Sequence, residues 1–520
     1  MAAVHDDEDG RFPPMADARP APTTTERLDA PDVLDAVRAW LPDRRWFPTT
    51  ADATAVSLVA RTDLGVDDRG AHAVVDLLRV PGTSSSSPMT LQVPLVLEPA
   101  GTPQATVDGR GVVAVLDDGA RLVDGAYHPA FVTAWLERAS WSGCPAATAA
   151  RDSAGGLDVR GLHVLTGEQS NTSVLLPAVA GGSMLKVIRA LAPGQNPDIV
   201  VPLALVQAGW AGVPEPYAWS ETAVEEDPTS VGTGSDASTS TAAPLPQRWS
   251  THTGVLAELV PQARDGFELA CDFAREGQPF ANPARELGTQ VAQMHSALRR
   301  AFASEVHEAD PAWLLDAMQR RVRSAAGASS AVRSRVDQID AFLEHMRGVA
   351  EEAVRQGRPL PPVQRIHGDL HLGQALYSPQ KGWRILDFEG EPLRPLTERT
   401  RPDLGERDVA GMLRSFDYAS AVGGATSSEW ARAARRAFLE GYTGYLSVPG
   451  ALGFGRPPSL ADRVLIRDAF ELDKALYEVV YEERNRPDWI SIPLGAVDRV
   501  LGALPRPATS ADAGPAGRRA

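Results

Sequence analysis

Cysteine is nearly absent: the 520 residues hold two, Cys144 and Cys271, far apart in the chain. Such a pair supplies neither a disulfide framework nor a CxxC metal motif, and a reducing, cytoplasmic setting is the expectation. No apolar run reaches the roughly 18 residues of a membrane-spanning helix. The opening MAAVHDDEDGRFPPMADARP has neither the basic start nor the apolar stretch of a secretory signal. Positive charge is also short, with 51 Lys plus Arg against 67 Asp plus Glu and a net charge of −16. That balance argues against a nucleic-acid groove, which needs clustered cations, but leaves room for a small phosphorylated ligand.

An apolar content of 43% is enough for ordinary cores. Residues 1–27 and 506–520 are rich in Ala, Pro and small polar residues and read as disordered tails. Residues 28–145 read as a cap: a helix carrying Val33, Val37 and Trp40, then short strands VSLVART, AVVDLLRV, LQVPLVLEP and VVAVLDD, and a helix over 127–139. A linker is expected near 142–157. Residues 146–260 form a second β-rich block, and the Ser/Thr-rich 221–249 reads as a flexible loop within it. Residues 261–505 are mostly helical, with Leu287, Val291, Met294 and Leu298 on one stripe. The fold class is α+β.

The chemistry concentrates in RIHGDLHLGQ (365–374) and ILDFEGEP (385–392). His367 and His371 are four apart, a zinc spacing on a helix, but Gly368 and Gly373 argue against a helix there. Flanking short strands place the polar residues on a loop and at strand ends. Phosphoryl transfer needs one carboxylate beside the attacking hydroxyl and hard oxygen ligands for Mg²⁺, and Asp369, Gln374 and Asp387 have a suitable order.

These motifs resemble the catalytic loop and metal-binding strand of the aminoglycoside phosphotransferase-like small-molecule kinases, which have a bilobal protein-kinase-like fold. Within them the actinobacterial glucosamine kinase and maltokinase group is most similar. The likeness extends to LPDRRWFP (41–48), EQSNTSVLL (168–176), LKVIR (185–189), RDVAGMLRSFDYA (407–419) and ELDKALYEVVYEERNRPDWISIPL (471–494). It implies ATP and Mg²⁺ as cofactors, a sugar as acceptor and Asp369 as the base that takes the acceptor's proton. Gln374 and Asp387 become the metal ligands, with Glu389 either a further ligand or an ion-pair partner. Lys186 would contact the ATP phosphates, and the turn with Ser170, Asn171, Thr172 and Ser173 would cradle them. Glu258, Leu259 and Val260 would form the hinge that holds adenine. His367 and Asp408 are expected to brace the loop. Kinases often pair the lysine with a helix glutamate. Val200 stands near where one is expected, and whether Asp198 substitutes is open.

For the acceptor, Lys474, Glu478 and Tyr481 share a helix face, and Glu478 and Trp489 are the expected sugar contacts, against the alternative of an interhelical ion pair and a packing residue. The short segment after Gln262, with Asp265, Glu268 and Asp272, tilts the reading to glucosamine, with Asp265 as a further contact. Glucosamine phosphorylation at O6 is the first reading and maltose phosphorylation at O1 the second. A catalytically impaired binding module is a minor alternative. A monomer without nucleic-acid or membrane partners is expected.

Overall fold

The computed structural model describes residues 24–82, 88–103, 109–152, 157–165, 171–226, 247–390, 401–448 and 459–503. The described residues begin with helix Thr24–Leu28, whose first four residues fall in the stretch expected to be a tail, followed by α1 (Pro31–Trp40). Strands β1 (Ser57–Val66), β2 (His72–Val80), β3 (Met89–Glu98), β4 (Val112–Val115) and β5 (Arg121–Asp124) then form an antiparallel sheet in the order β1-β2-β3-β5-β4. Helix α2 (Pro129–Arg138) closes the cap. Val33, Val37 and Trp40 of α1 pack on Val74, Leu91, Val93 and Leu95, which buries one face of the sheet. Val96 and Ala73 share a second core with Phe131 of α2 and with Leu185 and Val187 of the next domain. With both faces covered, β3 is buried along nearly its whole length, which explains its near-continuous apolar run.

The second sheet has β6 (Ser140–Trp141), β7 (His163–Val164), β8 (Asn171–Leu176), β9 (Ser183–Ile188), β11 (Pro216–Glu226) and β12 (Gln247–Glu258), in the order β6-β11-β12-β9-β8-β7. The short β10 (Ala190–Leu191) leaves this sheet and pairs with β3 of the cap. Two expectations need correction. The linker of 142–157 contains helix Pro145–Arg151. The 221–249 segment is strand at both ends, with Glu221 opposite His252 and Glu226 opposite Gln247. Residues 227–246 and the tail 506–520 lie outside the described residues.

Helix α3 (Pro197–Gln207) packs beside this sheet, and the remaining chain is mainly helical: α4 (Gly266–Arg275), α5 (Ala281–Ala301), α6 (Pro311–Ala328), α7 (Val336–Arg355), α8 (Glu406–Val422), α9 (Glu429–Leu446), α10 (Leu460–Asn485) and α11 (Ser491–Gly502). The stripe Leu287, Val291, Met294 and Leu298 is fully buried in one helical core, while α6, α7, α10 and α11 enclose another. Helices α5 and α9 touch backbone to backbone: a Cβ at Gly288 would lie 2.0 Å from the Phe438 carbonyl oxygen, and one at Gly441 would lie 2.0 Å from that of Arg285. A hairpin of β15 (Ala375–Ser378) and β16 (Gly382–Ile385), edged by β13 (Arg264–Asp265), sits between the helices and the second sheet. The result is an α+β molecule of two lobes carrying a cap.

Candidate active site

The loop between β14 (Val363–Gln364) and β15 carries Asp369. Asp408, fully buried in the first turn of α8, accepts from the backbone N–H groups of His367 and Gly368 at 2.9 Å each. It also accepts from His295 Nε2 at 2.9 Å, and His295 Nδ1 meets the Tyr442 hydroxyl at 2.9 Å. Burial works against the Asp408 charge, but His295, His367 and the Gly368 N–H outweigh it and hold the carboxyl below its ordinary range. His367 Nε2 donates to the Leu386 carbonyl at 2.7 Å, tying the loop to the segment just after β16. His371 Nδ1 accepts from the Gly373 N–H at 3.1 Å, and burial pushes its pKa down. Both histidines act as braces: residues 367–371 are not helical, and His371 caps a single 3-10 turn, Leu372–Gln374, so the two rings do not share an α-helix face and the zinc spacing has no basis. Gly411 lets α8 lie under this loop, since a Cβ there would come within 2.5 Å of the Leu370 carbonyl oxygen.

Between the lobes lies a cavity of about 580 Å³. Its walls include Met184, Val255, Ala257 and Leu386 on the apolar side and Asn171, Lys186, Asp198, Gln374 and Asp387 on the polar side. Lys186, on β9, bonds Asp198 at 2.5 Å and lies 3.6 Å from Glu389 and 4.0 Å from Asp387. Burial opposes its charge, but Asp198, Glu389 and Asp387 prevail and keep the ammonium charged beyond its ordinary range. Asp198, at the start of α3, also accepts from the Phe388 N–H at 2.9 Å. It therefore fills the place left open by Val200, two residues before where a glutamate was sought. Asp387 has φ +60°, a strained conformation for a non-glycine residue, and accepts from Gln374 Nε2 at 3.0 Å. Such strain concentrates at functional sites.

Carboxylate oxygens of Asp198, Asp387 and Glu389 lie within 4.8 Å of one another. Three carboxylates around one lysine leave an excess of negative charge, and all donors are hard oxygens. This set, with the Gln374 amide oxygen after a flip of the side chain, suits Mg²⁺.

The other expected nucleotide contacts fall differently. Ser170 lies outside the described residues. Asn171 lines the cavity, but the Thr172 hydroxyl accepts from Arg189 Nε at 2.9 Å and Ser173 is fully buried. A hydroxyl cradle from Thr172 is therefore not what the structure holds, because its oxygen faces the cap side of β8. The N–H groups of Glu258 and Leu259 are spent on the carbonyls of Glu215 (2.9 Å) and Gly182 (3.1 Å). The Glu258 carboxylate pairs with Lys381 at 2.8 Å, and Val260 is buried. The cavity wall at this edge comes instead from Val255 and Ala257.

A smaller pocket of about 90 Å³ opens beside Asp369, walled by Arg321, Arg407, Phe470, Asp473, Lys474 and Tyr477. Lys474 donates to Asp369 Oδ1 at 3.1 Å. Arg321 pairs with Asp473, and Arg407 lies 3.6 Å from it. Of the helix face expected from Lys474, Glu478 and Tyr481, only Lys474 reaches this pocket. Glu478 turns inward to Arg414 Nη2 at 2.7 Å, the ion-pair alternative, and burial pushes its carboxyl pKa up despite that arginine. Trp489 packs beside Tyr418 at 6.3 Å, with Arg486 4.5 Å over its ring. Asp265 caps α4 by accepting from the Phe267 and Glu268 N–H groups at 2.8 and 2.9 Å, and it lines the larger cavity rather than this pocket. Its carboxylate is occupied at a helix start, which corrects its expected place beside the sugar. The residues missed were Arg321, Arg407 and Tyr477. A helix face drawn at i, i+3 from Lys474 would have found Tyr477.

Comparison with known proteins agrees with the fold. A family model described as the maltokinase N-terminal cap domain matches residues 40–127. A glucosamine kinase of Mycolicibacterium smegmatis is 26% identical over 367 residues, 66% of this chain and 80% of that protein. A glucosamine kinase of Streptacidiphilus jiangxiensis is 30% identical over 264 residues, 46% of this chain and 56% of that one. A solved glucosamine kinase in complex with glucosamine, ADP and inorganic phosphate superposes with a TM-score of 0.56 at 21% identity, over 91% of this chain and 99% of that one. The bilobal kinase-like fold follows from that likeness. Among the described residues no helix is long and apolar enough to cross a membrane. In sequence the chain is similar to glucosamine kinases, in fold it is kinase-like, and its residues 40–127 are similar to the maltokinase N-terminal cap.

Proposed function

We propose that the protein is an ATP-dependent sugar kinase that converts D-glucosamine to glucosamine 6-phosphate. One observation carries the transfer chemistry: a braced carboxylate, Asp369, faces a small pocket on one side of the catalytic loop, while Gln374 and Asp387, with Lys186 of β9, line a nucleotide-sized cavity on the other. The acceptor hydroxyl gives its proton to Asp369 as its oxygen bonds to the γ-phosphorus and the bond from phosphorus to the bridging oxygen breaks, releasing ADP. Lys186 neutralises phosphate oxygens, and Asp198 keeps it oriented. Gln374, Asp387 and Glu389 are the residues for Mg²⁺, which when bound supplies charge neutralisation between the phosphates. The likeness to two glucosamine kinases supports the choice of acceptor.

Maltose, phosphorylated at O1, is a second reading. The cap match favours it, as does the pocket itself, where Arg321, Arg407 and Lys474 already pair the carboxylates that an ammonium-bearing sugar would seek. ATP consumption with glucosamine and with maltose at equal concentration separates the two. Asp369→Asn should abolish turnover and leave nucleotide binding in place. Near-normal rates in that variant would overturn the base assignment.

A further inference from the structure

Asp198 stands in the first turn of α3, and the chain reaches it through Gly194, Gln195, Asn196 and Pro197. Strand β12 holds this approach at two points. The Gly194 N–H donates to the Ser250 carbonyl at 3.0 Å, and Gly194 bridges Thr251. Two residues on, the Asn196 N–H donates to Nδ1 of the buried His252 at 3.0 Å. An imidazole that accepts at Nδ1 is neutral and carries its proton on Nε2. That Nε2 lies 3.2 Å from Glu221 Oε1, on the directly opposite residue of β11. Burial pushes the His252 pKa down against the pull of Glu221, which agrees with a neutral ring.

Asn196 passes the constraint on. Its Oδ1 accepts from the Asp198 N–H at 2.8 Å, and its carbonyl accepts from the Ile199 and Val200 N–H groups at 3.1 Å each, so it is the N-cap of α3. Pro197 has no N–H, which leaves that of Asn196 as the donor next to the helix. Asp198 then gives Oδ2 to Lys186 at 2.5 Å and Oδ1 to the Phe388 N–H at 2.9 Å. With each oxygen committed to a different element, the carboxylate tolerates little drift of the helix start. His252 itself is not among the residues that line the large cavity.

We propose that His252 is a positioning residue: from β12 it fixes the start of α3, and through Asn196 it sets the reach of Asp198 to Lys186. The inference rests on Lys186 meeting nucleotide phosphate, as in the kinase reading above. A histidine that merely fills the lobe would act on every ligand of the cavity alike. One that places Asp198 acts on the phosphates and not on the adenosine part, and only while Asp198 is present.

Calorimetric binding of ADP with Mg²⁺, and of adenosine, to the full chain and its variants tests this and needs no sugar. His252→Phe keeps a ring and removes the acceptor, whereas His252→Asn returns an oxygen close to the place of Nδ1. ADP affinity should fall about three- to thirty-fold in His252→Phe, the usual range for residues that act on a site through others. It should return to within about twofold of the parent in His252→Asn, and adenosine affinity should stay within about twofold in both. Asn196→Ala, at a half-buried position that tolerates the change, breaks the second link and should weaken ADP in the same way even where His252→Phe does not fold. In an Asp198→Ala background, His252→Phe should alter ADP affinity less than about twofold, because the route it acts through is gone. Equal weakening of both ligands, an undiminished effect without Asp198, no recovery in folded His252→Asn, or full ADP affinity in folded Asn196→Ala overturns the proposal. Failure of the unaltered chain to bind ADP would instead overturn the kinase reading beneath it.

Discussion

Glu471 offers a quantitative test of how the acceptor-side helix is held. Its carboxylate is 2% exposed and meets Arg435 of α9 at 2.8 and 2.9 Å and Arg499 of α11 at 2.5 Å. Burial opposes the charge, yet Arg435 and Arg499 prevail and take the carboxyl from 4.5 to about 2. At ~1.4 kcal/mol per pH unit, that difference is worth roughly 3 kcal/mol, and about 2–3 kcal/mol once water around the part-exposed Arg499 is allowed for. The folded value lies below the unfolded one, so the stabilisation is complete above pH ~4.5 and fades as the pH falls toward 2. Glu471→Gln should therefore lower the urea midpoint at pH 7, and its stability should fall less steeply than that of the parent between about pH 4.5 and 2. Two parallel curves over that window would show that the cluster does not hold α10, and the reasoning would fail.

Other outcomes follow from the site. Glu478→Gln keeps the shape of the buried partner and leaves Arg414 paired with Asp417 at 2.6 Å, so it should change urea stability by less than about 1.5 kcal/mol and the KM of the acceptor less than threefold; a large KM effect would return Glu478 to the sugar site. Asp198→Ala frees both Lys186 and the Phe388 N–H, and kcat/KM for ATP should fall at least about tenfold, read by steady-state kinetics. Lys474→Met removes the cation on Asp369 and should lower kcat with little change in the KM for ATP, whereas loss confined to stability would make the contact incidental.

Much of the fold was legible because its signals are local. The stripe through Leu298 and the apolar runs of β2 and β3 report burial directly. The bracing role of His367 and Asp408 was also legible, since Gly368 argues against an α-helix between the two histidines. What remained hidden depends on rotation and on contacts distant in sequence. Glu478 and Lys474 are one turn apart, and which of them faces the pocket is decided by Arg414 on another helix. Thr172 was expected at phosphate because nothing in the sequence shows that Arg189, seventeen positions on, reaches back to it. Asp198 was in view, but its reach to Lys186 depends on where α3 begins.

The passage of the chain from β9 through Arg189 into β10 also has a mechanical meaning. No slack connects the two sheets there, so the cap and the β-rich lobe travel as one piece. If the cleft narrows when both substrates are present, the cap swings with the upper jaw. A fluorophore at Val115, which is 66% exposed on β4, paired with one on the helical lobe would turn that swing into a distance signal far from the chemistry.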